Sequence, residues 1–155
     1  MNDQTIIPRD DTGKVFIKNN ILFWTIADNT LLEINIADVQ VIGEYTTMHA
    51  VYRNDWFIVF LLKGEETYQV SAYAQGMQGL LAEISEIVGT GIRATLSLAT
   101  DFKSNVMWPA NLAGQELYEL KIIESKSWFD RFRARLGFGS PLELVLTDGV
   151  KKQLL

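Results

Sequence analysis

The sequence predicts an α+β protein with a mainly antiparallel sheet, and one continuous stretch, residues 56–88, carries most of that prediction. Trp56 to Leu62 is an uninterrupted apolar run, which is typical of a strand buried on both faces. A Lys-Gly-Glu-Glu turn and the alternating residues 67–73 follow, and together they indicate a hairpin. Apolar side chains then recur at helical spacing from Met77 to Val88, and Gly89 supplies a C-cap. A hairpin followed by an amphipathic helix indicates a fold class but no chemistry.

The residues ahead of this stretch predict further short strands joined by turns. Asn19-Asn20 favours a tight hairpin because Asn tolerates the left-handed backbone conformation, and Asp28-Asn29-Thr30 is a second turn. Residues 1–13 read as a loose lead-in. About six strands therefore precede the helix, which is typical of an antiparallel sheet, sandwich or barrel. The strand candidates are 15–17, 21–26, 31–36, 39–46, 56–62 and 67–73.

The pattern changes after the helix. Residues 92–98 alternate apolar and polar side chains, which predicts a half-buried strand that could also serve as a homodimer contact. Residues 100–114 have no regular pattern. Partial alternation predicts a strand over 116–124, and helical spacing predicts a helix over 127–136.

The C-terminal residues are open to two interpretations. Residues 142–146 and 150–154 form a hairpin across Thr147-Asp148-Gly149, or a short helix follows Gly149. There is no internal repeat or low-complexity segment, so a chain of 155 residues is expected to form one domain, with or without an appendage.

Composition places the chain among ordinary globular proteins, with 48% hydrophobic and 21% charged residues. Cysteine is absent, which excludes disulfides, thiol nucleophiles and cysteine metal ligands. The first residues lack the basic start and apolar run of a secretory signal. The longest apolar run, 56–62, is far shorter than the roughly 20 residues needed to span a bilayer. We therefore expect a soluble, cytoplasmic protein.

The net charge of −5 is unevenly distributed. Residues 1–90 carry −7, whereas residues 91–155 carry +2. Phosphate contacts need clustered Lys and Arg, so the acidic part disfavours nucleic-acid binding. The aromatic residues of the predicted strands have few basic neighbours and are expected in the core rather than on a base-stacking surface. No nucleic-acid partner is predicted.

Residues 14–89, several short strands followed by a hairpin and an amphipathic helix, resemble the pleckstrin-homology-like superfold, including its GRAM-type variants. The segment 32–39, an apolar strand followed by Asp-Val, is similar to one common in those domains. The resemblance implies an antiparallel sandwich or barrel capped by helix 77–88, with a C-terminal α+β extension over 90–155 that could belong to the same domain. Members that bind phosphoinositides carry several basic residues around the first hairpin loop, where this chain offers only Lys18. Lipid-headgroup binding is therefore not implied.

No set of catalytic residues emerges. His49 is the single histidine, and the sequence indicates no nucleophile or orienting residue beside it. A metal site at His49 would have no second His and no Cys as ligands. Glu83/Glu86 and Glu116/Glu119 are two of several carboxylate pairs, and the helix pair Glu83/Glu86 is more typical of a solvated face. Glycines form neither a dinucleotide nor a P-loop pattern. The sequence predicts no enzyme activity, no cofactor and no metal.

The strongest functional candidate is the basic and aromatic segment 125–138. On a helical wheel its aromatic side chains share one face that arginines flank, which suits a groove on a partner protein or a membrane interface. The candidate binding residues are Trp128, Phe129, Arg131, Phe132 and Arg135. The alternative is that this face packs on the sheet as core.

The predicted function is accordingly a non-enzymatic interaction module with an unknown protein partner, of the kind found in bacterial adaptor or immunity-type proteins. One alternative is peripheral membrane attachment through helix 127–136. A second alternative is an enzyme built on carboxylates and His49, which would need a pocket where they converge.

Overall fold

A computed structural model describes residues 12–47, 55–97, 99, 101–122 and 142–155. These residues form a mixed α+β structure, as predicted, with mostly antiparallel sheets and two α-helices. The strands are β1 (Lys14–Lys18), β2 (Ile21–Ile26), β3 (Asn29–Asn35), β4 (Val39–Thr46), β5 (Trp56–Leu62), β6 (Thr67–Ser71), β7 (Lys103–Trp108), β8 (Tyr118–Ile122) and β9 (Leu142–Leu146). The helices are α1 (Met77–Val88) and α2 (Asp148–Leu154), and a 3₁₀ turn covers Ile36–Asp38.

The described strands form three antiparallel sheets. Their orders are β1-β2-β3, β6-β5-β4-β7 and β8-β9. None of these sheets is closed, so the described residues do not form the barrel that was one of the predicted alternatives. β7 comes after α1 in the chain but pairs with β4, so residues beyond 90 add a strand to the sheet that β4, β5 and β6 form.

The elements predicted from 56–88 are confirmed. β5 is buried on both faces because its residues alternate between the two sides of a covered sheet. α1 spans Met77–Val88, and Gly89 ends it with a positive φ of 72°. Six strands precede α1, as the turn pattern predicted.

The two predicted turns near the N-terminus differ in accuracy. Asn19 and Asn20 both adopt positive φ between β1 and β2, as the hairpin prediction required. The second turn is centred one residue earlier than predicted, because Ala27 and Asp28 take the positive φ angles. Asn29 already belongs to β3.

Two hydrophobic cores lie on opposite faces of the four-stranded sheet. The first core joins one face to the inner face of β1-β2-β3 and to α1, and it includes Leu22, Ile34, Ile58, Phe60 and Ile84. The second core covers the other face and includes Val41, Val59, Leu117, Val150 and Leu154. Full burial of each such side chain contributes roughly 1.5–3 kcal/mol. The C-terminal extension thus provides the cover for one whole face of the central sheet.

Two predictions for the C-terminal part are wrong in detail, and the structure decides between the two alternatives at the C-terminus. The predicted strand 92–98 belongs to no sheet over its described residues, 92–97. The region taken as irregular contains β7, in which Ser104 and Asn105 obscure the apolar alternation because their side chains hydrogen-bond within the protein. β9 pairs with β8 rather than with 150–154, and α2 is the short C-terminal helix that was the competing interpretation. The predicted strand 116–124 corresponds to β8.

Candidate functional site

The most unusual side chain in the described structure is Glu44, a carboxylate in the middle of β4 that is 0% exposed. Its Oε2 accepts a hydrogen bond from Trp56 Nε1 at 2.9 Å. Its Oε1 accepts from the Thr95 amide at 2.8 Å and the Thr95 hydroxyl at 2.9 Å, and from Asn105 Nδ2 at 3.2 Å. Because several donors share it, the buried carboxylate is satisfied without a cation among the described residues.

Glu44 fastens the 92–97 segment to one face of the sheet. Besides Thr95, the Leu96 amide lies 3.3 Å from Glu44 Oε2. The other end of the segment is held by α1, since the Ile92 amide donates to Ser85 Oγ at 2.9 Å. The segment is therefore held at both ends although it forms no strand ladder.

Ser104 performs the corresponding role on the opposite face of the sheet. Its Oγ accepts hydrogen bonds from the amides of Leu117 and Tyr118 at 3.1 and 3.0 Å and donates to the Tyr118 carbonyl at 3.2 Å. Leu117 can pack onto β4 because Gly43 has no side chain, and a Cβ there would lie 2.8 Å from Leu117 Cδ2. These contacts hold the start of β8 against the second core.

Between these two fixed walls lies a cleft of about 530 Å³, which we call the edge cleft. It is lined by residues 95–96, 102–105, 116 and 118–120. Its floor is β7, the terminal strand of the four-stranded sheet. The 92–97 segment forms one wall and β8 forms the other. The cleft thus contains the edge of β7, with which no described strand pairs, between two walls that side-chain hydrogen bonds hold in place.

The edge cleft combines an apolar lining with an acidic rim. Lys103 Nζ lies 3.9 Å from Asp101 Oδ1, and Lys121 Nζ lies 3.1 Å from Glu119 Oε1. Each of these two carboxylates is therefore partly neutralised by a lysine. No described residue makes a salt bridge with the Glu116 carboxylate. The rim therefore retains an uncompensated negative charge.

Two tyrosines lie beneath the β8 wall. Tyr45 and Tyr118 meet edge to face, with ring centroids 5.5 Å apart. Burial raises the pKa of Tyr45 to about 12, although its hydrogen bond to Gln69 opposes the shift. Burial, and then the charge of Tyr45, raise the pKa of Tyr118 well above its usual range. The Tyr45 hydroxyl donates its hydrogen bond to Gln69 Oε1 at 2.7 Å.

The residues predicted as binding candidates fall outside the described structure. Trp128, Phe129, Arg131, Phe132 and Arg135 all lie in the stretch 123–141, which is not described, and His49 lies in 48–54, which is not described either. The structure does define where the first stretch is attached, because Ile122 and Leu142 are opposite each other in the β8-β9 pair.

The carboxylate pairs noted in the sequence lie in different environments where the structure describes them. Glu116 and Glu119 both line the edge cleft. Glu83 and Glu86 are exposed on α1, as expected for a solvated face. Glu66 at the hairpin tip accepts a hydrogen bond from Tyr68. Only the first pair therefore belongs to the candidate site.

Sequence reasoning did not identify Glu44 or Ser104. A charged residue in the centre of a strand candidate, with Ile42 and Thr46 on the same face, is the signal that could have drawn attention to Glu44. Ser104 offered no signal, because its role depends on β8 returning to β7.

No protein-family model, curated protein or solved structure matches the chain significantly. Within the described ranges, no helix has the length and apolar character needed to cross a membrane. The described residues also contain no cluster of three or more His, Asp or Glu side chains suited to a metal ion. The candidate site is thus defined by its own geometry.

Proposed function

We propose that the protein is a non-enzymatic interaction module and that a protein partner binds in the edge cleft. One observation carries the proposal: the edge of β7 around Ser104, with which no described strand pairs, forms the floor of a cleft of about 530 Å³ between two walls held by side-chain hydrogen bonds. An exposed sheet edge is a template for a second chain, and binding clefts combine apolar lining with a few polar groups.

The walls support this proposal because they are fixed before any partner arrives. Glu44 holds the 92–97 segment, and Ser104 holds the start of β8. A preorganised surface loses less conformational entropy on binding than a mobile one. Apolar contact area comes from Leu96, Tyr118 and Leu120, of which Leu120 is 37% exposed.

The chemistry of the described residues favours binding over catalysis. Two aliphatic hydroxyls line the cleft. Ser104 Oγ accepts two amide hydrogen bonds and donates to a carbonyl, and Thr95 Oγ1 donates to buried Glu44, so no described base is placed to activate either as a nucleophile. The Glu44 carboxylate is engaged by several donors and is shielded from solvent. None of these groups meets the geometry that general acid-base catalysis requires.

A second candidate function is attachment to a membrane surface through Trp128, Phe129, Arg131, Phe132 and Arg135. One observation favours membrane attachment. Ile122 and Leu142 pair at one end of the β8-β9 ribbon, so the residues between them, which include the basic and aromatic stretch, are attached to the described structure at that one place. Vesicles of phosphatidylserine and phosphatidylcholine should then co-sediment with the protein at low salt and release it at high salt. Absence of co-sedimentation at low salt excludes this function.

We also infer a pleckstrin-homology-like arrangement for residues 14–89 and a cytoplasmic adaptor or immunity-type role. Support for the fold comes from six antiparallel strands followed by α1, whose buried residues join the first core. Support for the role is limited to the proposed partner binding. A fold does not specify a function, so neither inference depends on the other.

The proposed function can be tested by photocrosslinking in the producing cells. A photoreactive residue at Leu120 should give one dominant covalent product with a second protein. The matched control carries the same residue at Ile87, which is similarly exposed, at 43%, on α1. Equal products at both positions, or none at Leu120, would contradict binding in the edge cleft.

A further inference from the structure

We propose that the occupant of the edge cleft is an extended peptide strand with basic side chains, which pairs with the free edge of β7. This inference rests on the proposed function, because it names the partner of the same site. It specifies both the recognition mode, strand addition, and the charge of the partner.

The main chain of β7 shows where an added strand would pair. The Val106 amide donates to the Gln115 carbonyl at 2.8 Å, and the Val106 carbonyl accepts from the Gly114 amide at 2.9 Å, so Val106 directs its main chain away from β4. Main-chain groups of successive residues alternate between the two edges of a strand. Ser104, two residues earlier, therefore directs its amide and carbonyl toward the same outer edge.

The segment that bonds to the main chain of Val106, residues 114–115, does not reach the main chain of Ser104. Leu117 and Tyr118 bond to the Ser104 hydroxyl, which lies on the Tyr45 face of the sheet. The edge at 103–105 consequently lies in the cleft. Since a strand rises about 3.3 Å per residue, about three residues of an added strand would lie directly opposite it.

The two walls would meet alternate side chains of such a strand. Side chains of a strand point in turn to the two faces of the sheet. One set would meet Thr95 and Leu96 of the 92–97 segment, and the other would meet Tyr118 and Leu120 of β8. The first wall favours small or apolar side chains, because the two residues of this segment that line the cleft, Thr95 and Leu96, are uncharged.

The β8 wall selects for positive charge. Glu116 and Glu119 both line this side, and Lys121 neutralises only Glu119. Lys103, the cation on the floor, is engaged with Asp101. A Lys or Arg on this side of the added strand would therefore find a complementary carboxylate, whereas an acidic side chain would be repelled.

The test uses synthetic peptides and the amide NMR spectrum of the full chain. Acetyl-Val-Lys-Val-Lys-Val-amide should shift the amide signals of Thr95, Ser104 and Leu120, and the analogue with Glu in place of Lys should bind at least tenfold more weakly. N-methylation of alternate residues should abolish binding in one of the two possible patterns and preserve it in the other, because only one edge of the peptide faces β7.

A pair of variants separates charge selection from strand addition. The double substitution E116Q/E119Q should weaken binding of the lysine peptide about tenfold, whereas E83Q/E86Q on α1 should leave it unchanged. Equal binding of the lysine and glutamate peptides at the cleft would overturn the charge assignment while leaving the cleft as a binding site. Tolerance of both N-methylation patterns would overturn strand addition.

Two further outcomes count against the inference. Shifts confined to residues outside the edge cleft would overturn it together with the proposed site. Strong protection of the Ser104 amide in the isolated protein, with no response to either peptide, would show that the chain itself or a second copy already occupies the edge. Peptide binding in the cleft without a crosslinked product at Leu120 would contradict the proposed protein partner, whereas a crosslinked product without peptide binding would contradict strand addition.

Discussion

Glu44 shows how a single buried carboxylate can organise one wall of a candidate binding site. Its partners come from three separate parts of the chain, namely β5, the 92–97 segment and β7. A buried charge is costly unless donors satisfy it, and here those donors are the groups that shape one wall of the edge cleft. The residue therefore acts through position rather than through chemistry.

Replacing Glu44 with Gln should lower the free energy of unfolding by about 2–3 kcal/mol, because an amide NH₂ would face donors that now meet an oxygen. Urea denaturation measures the change. Glu86→Gln, an exposed substitution of the same kind on α1, should change stability by less than about 0.5 kcal/mol. Equal stability of the two variants would contradict the role assigned to Glu44.

The buried tyrosines predict a loss of stability in alkaline solution. The pKa of Tyr45 is about 12 in the folded protein, against an ordinary value of 10.0. The unfolded chain therefore releases this proton at lower pH than the folded protein does. The stabilisation that the Tyr45 proton gives the folded state is complete below pH 10 and is lost as the pH rises from 10 to 12. Its size is at most about 3 kcal/mol.

Denaturation at several pH values with Tyr45→Phe as the comparison tests this point. The variant lacks the ionising hydroxyl, so its stability should fall less steeply between pH 10 and 12 than that of the wild type. Parallel curves would show that Tyr45 ionises equally in both states. Tyr118, whose pKa is raised in the same direction, remains in both proteins.

At the scale of elements, the 92–97 segment is defined by side-chain contacts instead of strand pairing. Thr95→Val removes the hydroxyl donor to Glu44 but keeps the shape of the side chain. It should weaken the attachment of the segment by about 1 kcal/mol. Hydrogen exchange of amides 92–97 should accelerate, while exchange in α1 should be unchanged. Uniform acceleration throughout the chain would indicate global destabilisation instead.

Elements with a strong local pattern could be predicted from the sequence, and those that depend on distant partners could not. β5 and α1 were predictable because burial on both faces and a helical apolar stripe are visible in consecutive residues. β7 was missed because its strand character comes from pairing with β4, about sixty residues earlier in the chain. α2 could not be chosen over a hairpin, since β9 pairs with β8 instead.

The candidate site was predictable to a smaller extent than the fold. Glu116 and Glu119 were recognised as a pair, but their place in the edge cleft depends on β8 lying beside β7. The cleft joins residues 95–96, 102–105 and 116–120, which no spacing rule connects. Tertiary packing, which a local pattern does not encode, creates this site.

At the scale of the whole molecule, the C-terminal residues complete the central sheet by covering its second face. Leu154 is 3% exposed in the second core, whereas its neighbour Leu155 is 95% exposed. Leu154→Ala should therefore lower the free energy of unfolding by about 2–5 kcal/mol, and Leu155→Ala should have almost no effect. Thermal unfolding of the two variants distinguishes them, and equal melting temperatures would show that α2 contributes nothing to the core.

Because the C-terminal residues belong to the second core, partner binding is better tested by substitution than by truncation. Truncation from residue 125 onward would remove Val150 and Leu154 from the second core together with the basic and aromatic stretch. Loss of binding in such a truncation would reflect unfolding as much as loss of a contact surface. Point substitutions on the cleft wall are therefore the better probe.

The central claim, that a partner binds along the free edge of β7, is tested most directly by hydrogen exchange of the Ser104 amide. Exchange would be measured in the free protein and in its complex with the partner captured through Leu120. We predict that exchange at Ser104 slows at least tenfold in the complex, while amides on the exposed face of α1 keep their rates. An unchanged rate at Ser104 in a saturated complex would contradict binding at this edge.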